Sequence, residues 1–307
     1  MKADRPIMAR GARCARDASM GPGRESVLSW HWARLLLAVA FTAFAASAAC
    51  AQAPDPDASA IWQKVHADLF GGAKIETAQG VIALETPPRA EDAAIVPVAI
   101  RAAFPQSPER FIDRIWLLID NNPSPIAAVF GFTRESGRAE IETRIRVEQY
   151  TYVRAIARTN DGRLYMVANY VKASGGCSAP AGKDAIAAKA NLGKMRLRVD
   201  DAPTEGQPAR AQLMVSHPND SGLAMDQVTR TYATPHFVRR VEVRYAGRPL
   251  LDADVDFSIS ENPNFRFYLL PGDGGELEAR VVDNQDLEFK TSLAVAAPKR
   301  AAAASTR

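Results

Sequence analysis

Thr151-Tyr-Val-Arg-Ala-Ile-Ala-Arg-Thr-Asn-Asp-Gly-Arg-Leu-Tyr-Met-Val-Ala-Asn-Tyr-Val171 alternates apolar and polar residues on both sides of Asn160-Asp-Gly162. Alternation of period two around an Asp-Gly pair is the mark of two antiparallel strands closed by a tight hairpin. The same pattern extends upstream through Val81 to Thr86, Ile95 to Phe104, Arg114 to Ile119, Ala127 to Thr133 and Glu140 to Val147. Asn121-Asn-Pro-Ser-Pro125 breaks the chain after Leu117-Leu-Ile119, because such residues favour turns and proline cannot join a central ladder. These short, regularly punctuated runs predict an all-β domain, a β-sandwich. Ahead of it, Ile61, Trp62, Val65 and Leu69 have helical spacing, with Ser59 as cap and Gly71-Gly72 as stop, so a short helix precedes the first sandwich.

Downstream the β pattern resumes at Met195 to Val199, Ala209 to Val215, Phe237 to Tyr245, Leu250 to Phe257, Phe265 to Leu270, Glu276 to Val282 and Leu287 to Val295. A second sandwich is expected there. Between the two lies Ala173-Ser-Gly-Gly-Cys-Ser-Ala-Pro-Ala-Gly182, followed by an Ala-rich segment, Asp184 to Leu192, that reads as a short helix.

The amino terminus reads as a secretory signal. Arg10, Arg13, Arg16, Arg24 and Arg34 precede the apolar stretch Leu35-Leu-Leu-Ala-Val-Ala-Phe-Thr-Ala-Phe44, and Ala49-Cys50-Ala51 supplies small residues for cleavage after Ala51. Lipidation at Cys50 is the alternative, disfavoured by Ser47. The apolar run is shorter than the ~20 residues of a spanning helix, so no membrane span is expected after cleavage. Residues 1–51 hold seven Lys or Arg against three Asp or Glu, and losing four net positive charges takes the formal +3 to −1. The basic pI of about 8.8 therefore belongs to the leader and gives no case for nucleic acid.

Cys14 and Cys50 also lie in the leader, which leaves Cys177 alone in the exported part. A packing cysteine usually sits in an apolar run. Cys177 has none, so the sequence predicts a reachable sulfur on a loop made mobile by Gly175 and Gly176. Lys172, Lys183 and Lys189 are the nearest charges along the chain and would favour the thiolate if close. An idle thiol on a linker is the plain alternative. His66, His217 and His236 show no ligand spacing, which predicts no metal site. A cysteine hydrolase dyad is disfavoured, since a Gly-flanked loop offers no oriented base. Glu91-Asp92, Glu140 with Glu142, and Asp252, Asp254 and Asp256 read as solvated faces. Trp62, Trp116, Phe130, Phe132, Phe265, Phe267 and Tyr268 read as core.

Gly175-Gly-Cys177 resembles the Gly-Gly-Cys-Gly-Gly arm of SoxY, the carrier subunit of bacterial thiosulfate oxidation. Val215-Ser-His-Pro-Asn-Asp-Ser-Gly-Leu223 and Ser258-Ile-Ser-Glu-Asn-Pro-Asn-Phe265 are similar to segments of its partner SoxZ. Together the halves resemble the fused SoxYZ-like carriers associated with quinoprotein dehydrogenases. Ser178-Ala179 and Pro180 depart from the arm, and Cys177 is tethered on both sides rather than near a free carboxyl terminus.

The resemblance implies two immunoglobulin-like β-sandwich domains joined by a Cys-bearing, Gly-rich linker. The parts are then a signal peptide over 1–51, a SoxY-like domain over 52–173, a carrier loop and linker over 174–193, a SoxZ-like domain over 194–296 and a disordered tail over 297–307. It implies a periplasmic, non-enzymatic carrier without a cofactor, with Cys177 as the covalent attachment point for a small sulfur compound and Gly175 and Gly176 as its flexible arm. Implied partners are periplasmic redox enzymes: a quinoprotein dehydrogenase, a cytochrome c or Sox-like enzymes. Two other readings stand beside it: an accessory scaffold for a quinoprotein dehydrogenase in which Cys177 is dispensable, and a redox thiol that pairs between molecules.

Overall fold

The computed structural model describes residues 53–179, 190–200, 203–225 and 229–298. The expected leader lies outside them, as do all but the first two residues of the expected tail and most of the expected helix from Asp184 to Leu192. Helix α1 (Ala60–Phe70) begins where the Ser59 side chain accepts the Trp62 N–H and ends at Gly71 in the left-handed conformation, with φ of 58°.

In the first half, strands β1 (Ile75–Thr77), β2 (Ile82–Glu85), β3 (Val96–Ala102), β4 (Ile112–Ile119), β5 (Ile126–Phe132), β6 (Ile141–Ile145), β7 (Thr151–Thr159) and β8 (Leu164–Val171) follow in order. The second half holds β9 (Met195–Val199), β10 (Ala209–Val215), β11 (Val238–Tyr245), β12 (Arg248–Val255), β13 (Asn264–Leu269), β14 (Gly275–Asp283) and β15 (Glu288–Val295). Apart from the three-residue β1, each falls on a stretch of sequence expected to form a strand. β1 is too short to show a period, and its parallel pairing with β8 supplies what its own residues do not.

Among the described residues the strands form two sheets, ordered β1-β8-β7-β4-β5-β12-β11-β14-β15 and β2-β3-β6-β13-β10-β9. Both sheets run from one half into the other. β5 pairs antiparallel with β12, from Phe132 opposite Leu251 to Ala128 opposite Val255, and β6 meets β13 at Glu142 opposite Arg266. The two sandwiches are therefore joined edge to edge, and one apolar cluster between the sheets takes residues from both. Phe130 and Phe265 meet edge to face there, ring centres 6.4 Å apart.

Of the aromatic residues expected in the core, Trp62, Phe130, Phe132, Phe265 and Phe267 are buried, while Trp116 and Tyr268 are half-buried. Glu140 corrects the expectation of a solvated carboxylate. It is 3% exposed and sits between Arg138, at 2.5 Å, and Arg101, at 3.6 Å. Among the described residues, no helix is long and apolar enough to cross a membrane.

A second, smaller cluster docks α1 on the outer face of the nine-stranded sheet through Trp62, Leu118, Ile156 and Leu164. Arg154 of β7 is wholly buried beneath it. Its guanidinium takes Asp120 in a two-pronged grip at 2.8 and 2.7 Å, donates to the Pro56 carbonyl at 2.6 Å and lies 4.6 Å from the Trp62 ring centre. Arg154→Met leaves the Asp120 carboxylate buried without its partner and is expected to cost about 3–5 kcal/mol of stability. Urea unfolding checks this, and Asp120→Asn in the same chain is expected to recover part of the loss.

Candidate functional site

After β8 the chain turns back along the segment that follows β6. The Gly175 N–H donates to the Glu148 carbonyl at 2.8 Å and the Gly176 N–H to the Val147 carbonyl at 3.0 Å. Val147 in turn donates to the Ala93 carbonyl at 2.8 Å. Gly175 has a φ of +82°, and a Cβ on Gly176 would stand 2.0 Å from the Ala93 oxygen. These glycines permit close backbone packing, and the loop they belong to is pinned. The absence of side chains from which mobility was expected also lets two backbones touch.

Side chains complete the hold. The Glu148 carboxylate accepts the N–H of Cys177 at 2.8 Å, the N–H of Ser178 at 3.1 Å and the Ser178 hydroxyl at 2.9 Å. From the other half, the Ser221 hydroxyl donates to the Cys177 carbonyl. Asn122, buried in the turn after β4, donates to the Arg146 carbonyl at 2.8 Å and to Ser258 Oγ at 3.0 Å, while its own Oδ1 accepts the Glu148 N–H at 2.9 Å. The result is a cysteine at 0% exposure.

The expectation of a reachable sulfur is therefore overturned. Burial, followed by the Glu148 charge, pushes the Cys177 thiol up to about 12, with Arg146 opposing and Asp256 adding. Of the lysines singled out along the chain, Lys183 and Lys189 lie outside the described residues. The cation that acts on the thiol is Arg146. Its guanidinium donates to the Asn219 carbonyl at 2.6 Å and weakly to that of Pro218 at 3.4 Å, and its Nε is buried without a partner.

Sequence reasoning missed Glu148, Arg146, Asn122 and Ser221. The available signal was the segment from Val215 to Leu223, which supplies both carbonyls to Arg146 and the hydroxyl to Cys177.

The fold also gathers residues that spacing had kept apart. His217, His236 and Asp283 place their ligand-type atoms within 4.8 Å of one another. The residue types are those of a two-histidine, one-carboxylate metal site. Hydrogen bonding argues otherwise: the Asn219 N–H donates to His217 Nδ1 at 3.1 Å, which leaves the ring proton on Nε2 and no free lone pair there. That nitrogen points at Asp283 Oδ2 from 3.5 Å, while His236 Nε2 lies 2.7 Å from the same oxygen. Burial, then the neighbouring His236, takes His217 down to about 4. The cluster is a buried carboxylate with imidazoles turned toward it, and His217 lies on the segment whose Ser221 holds the Cys177 carbonyl.

Residues 66–177 match the family model of the sulfur oxidation protein SoxY, and residues 195–294 match that of the sulphur oxidation protein SoxZ. Two β-sandwiches joined at their edges, with a cysteine loop held between them, thus fall in the class of sulfur oxidation proteins. The chain carries both domains in tandem and belongs to this family as a fused SoxYZ-like protein.

Among solved structures it is similar to the sulfur carrier protein SoxY from Chlorobium limicola f thiosulfatophilum. The identity is 24% over 36% of this chain and 90% of that one, with a TM-score of 0.31. It is also similar to a superoxide reductase (neelaredoxin) from Ignicoccus hospitalis, at 14% identity over 36% of this chain and 90% of that one, with a TM-score of 0.28. No curated protein matches the chain.

Two expectations follow. Gly176→Ala forces the loop away from Ala93, so Cys177 should react faster with iodoacetamide than in the wild type at equal pH, as read by intact mass. Second, the folded state keeps the Cys177 proton that an unfolded chain gives up above an ordinary value of 9.0. The resulting stability is complete below about 9 and is lost as pH rises toward about 12. Urea unfolding should show the wild type losing more stability over that interval than Cys177→Ala.

Proposed function

We propose that the chain is a non-enzymatic carrier of sulfur-oxidation intermediates, exported to the periplasm, with Cys177 as the attachment point. The observation that carries this reading is the tandem SoxY and SoxZ match, the first of which ends on Cys177 itself. The conformation described here is then the closed state. Loading requires the loop to leave Glu148 and Ser221, since a buried, protonated thiol is a poor nucleophile.

The cargo would be held through a sulfur–sulfur bond. Joining sulfite to the thiolate as an S-sulfonate releases two electrons, so an electron acceptor must take part. A cytochrome c or a quinoprotein dehydrogenase has the chemistry to do so, and the leader-like segment supports placing carrier and partner in the same exported compartment.

Burial of Cys177 favours a second reading, in which the protein is an accessory scaffold for a quinoprotein dehydrogenase and the thiol only packs. Intact mass of protein taken from its native compartment separates the two. The carrier reading expects an adduct of sulfane or sulfonate mass that dithiothreitol removes and that is missing in Cys177→Ser, together with loss of sulfur-compound oxidation in that strain. An unmodified thiol under all growth conditions, with an unimpaired Cys177→Ser strain, would leave the scaffold reading in its place.

A further inference from the structure

Arg146 is a deeply buried charge. It is 3% exposed, yet among the described residues no carboxylate reaches ion-pair distance of its guanidinium. Its acceptors are the carbonyls of Asn219 and Pro218, and Nε has none. Removing a cation from water without a counter-charge costs several kcal/mol, so such groups are normally paired. Asp220 and Glu261 act on it only as more distant charges.

Backbone register places the cysteine loop beside it. Gly176 bonds to Val147 and Gly175 to Glu148, which carries Cys177 to the level of Arg146. The same short segment that binds the guanidinium at 218–219 also binds the Cys177 carbonyl through Ser221. A neutral thiol cannot balance the guanidinium. A negative group on the sulfur can.

Resting on the carrier reading, we propose that Arg146 is the anion-pairing residue of the Cys177 site, so that the closed state selects cargo that leaves a negative charge on the sulfur, an S-sulfonate or a persulfide anion, over neutral adducts. Burial and the Glu148 charge keep the bare thiol protonated against the pull of this cation. Glu148, whose carboxylate accepts the N–H groups of Cys177 and Ser178, and Asp256 both act against a negative charge at the sulfur, and Arg146 is the group that offsets them.

The test loads Cys177 in urea with 2-sulfonatoethyl, ethyl or 2-aminoethyl methanethiosulfonate and refolds each product. In every case the thiolate attacks the sulfenyl sulfur, the S–S bond of the reagent breaks, and methanesulfinate leaves with the electron pair. The adducts differ in charge, and the greater bulk of the sulfonate is controlled by comparing each adduct between the wild type and Arg146→Gln. In the wild type, the anionic adduct is expected to unfold at a higher temperature than the ethyl adduct by about 2–4 °C, and the cationic adduct at a lower one. Arg146→Gln should abolish this order and Arg146→Lys should keep it.

Equal unfolding temperatures for the three wild-type adducts, or failure of all three to refold, would overturn the proposal without any variant being needed. The two readings also fail separately. A charge order in these adducts, with no adduct on native protein, would sink the carrier reading and leave the Arg146 pairing. A native adduct without the charge order would do the reverse.

Discussion

Main-chain pairing across the seam, β5 with β12 and β6 with β13, is the constraint on which the rest of the molecule depends. Each half would otherwise end in edge strands with unsatisfied N–H and C=O groups, a hazard that sheets must cover or blunt. Joining the edges satisfies those groups and makes one apolar interior of two. It also fixes where the segment from His217 to Leu223 lies, over the cysteine loop of the other half. The site is thus a product of the seam: Glu148 and Arg146 come from the first half, and Ser221, Asn219 and Pro218 from the second.

Legibility in the sequence followed the range of the interaction. β9 and β10 match their apolar alternation to the residue, because period two is written locally in side chains that face the core. The seam left no such trace. Nothing in Phe130 or Phe132 says that the neighbour of β5 is a strand more than a hundred residues later, since pairing of this kind is decided by the whole core. The same holds for His217, His236 and Asp283, which no spacing connects. They meet because the β10–β11 connection and the β14–β15 turn arrive at one end of the sandwich.

Gly175 and Gly176 show a different ambiguity. A Gly-Gly pair is compatible with a mobile linker and with two backbones in contact, and composition alone does not separate them. The deciding facts lie elsewhere in the chain, at the Ala93 oxygen that occupies the space of a Cβ and at the Glu148 carboxylate that collects the N–H groups of Cys177 and Ser178. Arg146 was equally invisible. In sequence it is one more alternating residue after β6, and only its depth makes its missing carboxylate notable.

Fusion gives the buried cysteine a mechanical sense that separate subunits would lack. In a pair of chains, the contact between Ser221 and the cysteine loop would depend on subunit concentration. Within one polypeptide the second half stays at high effective concentration, so closure is set by local terms alone. Those terms are few: the bonds to Glu148, the Ser221 contact and the backbone pairing at 175–176. Each hydrogen bond is worth about 0.5–1.5 kcal/mol net, or 1.5–3 with a charged partner. Opening such a segment costs far less than unfolding the sheets, in keeping with the general finding that proteins open in local units. The carrier reading therefore asks only for local opening of this segment, with the joined sheets left intact.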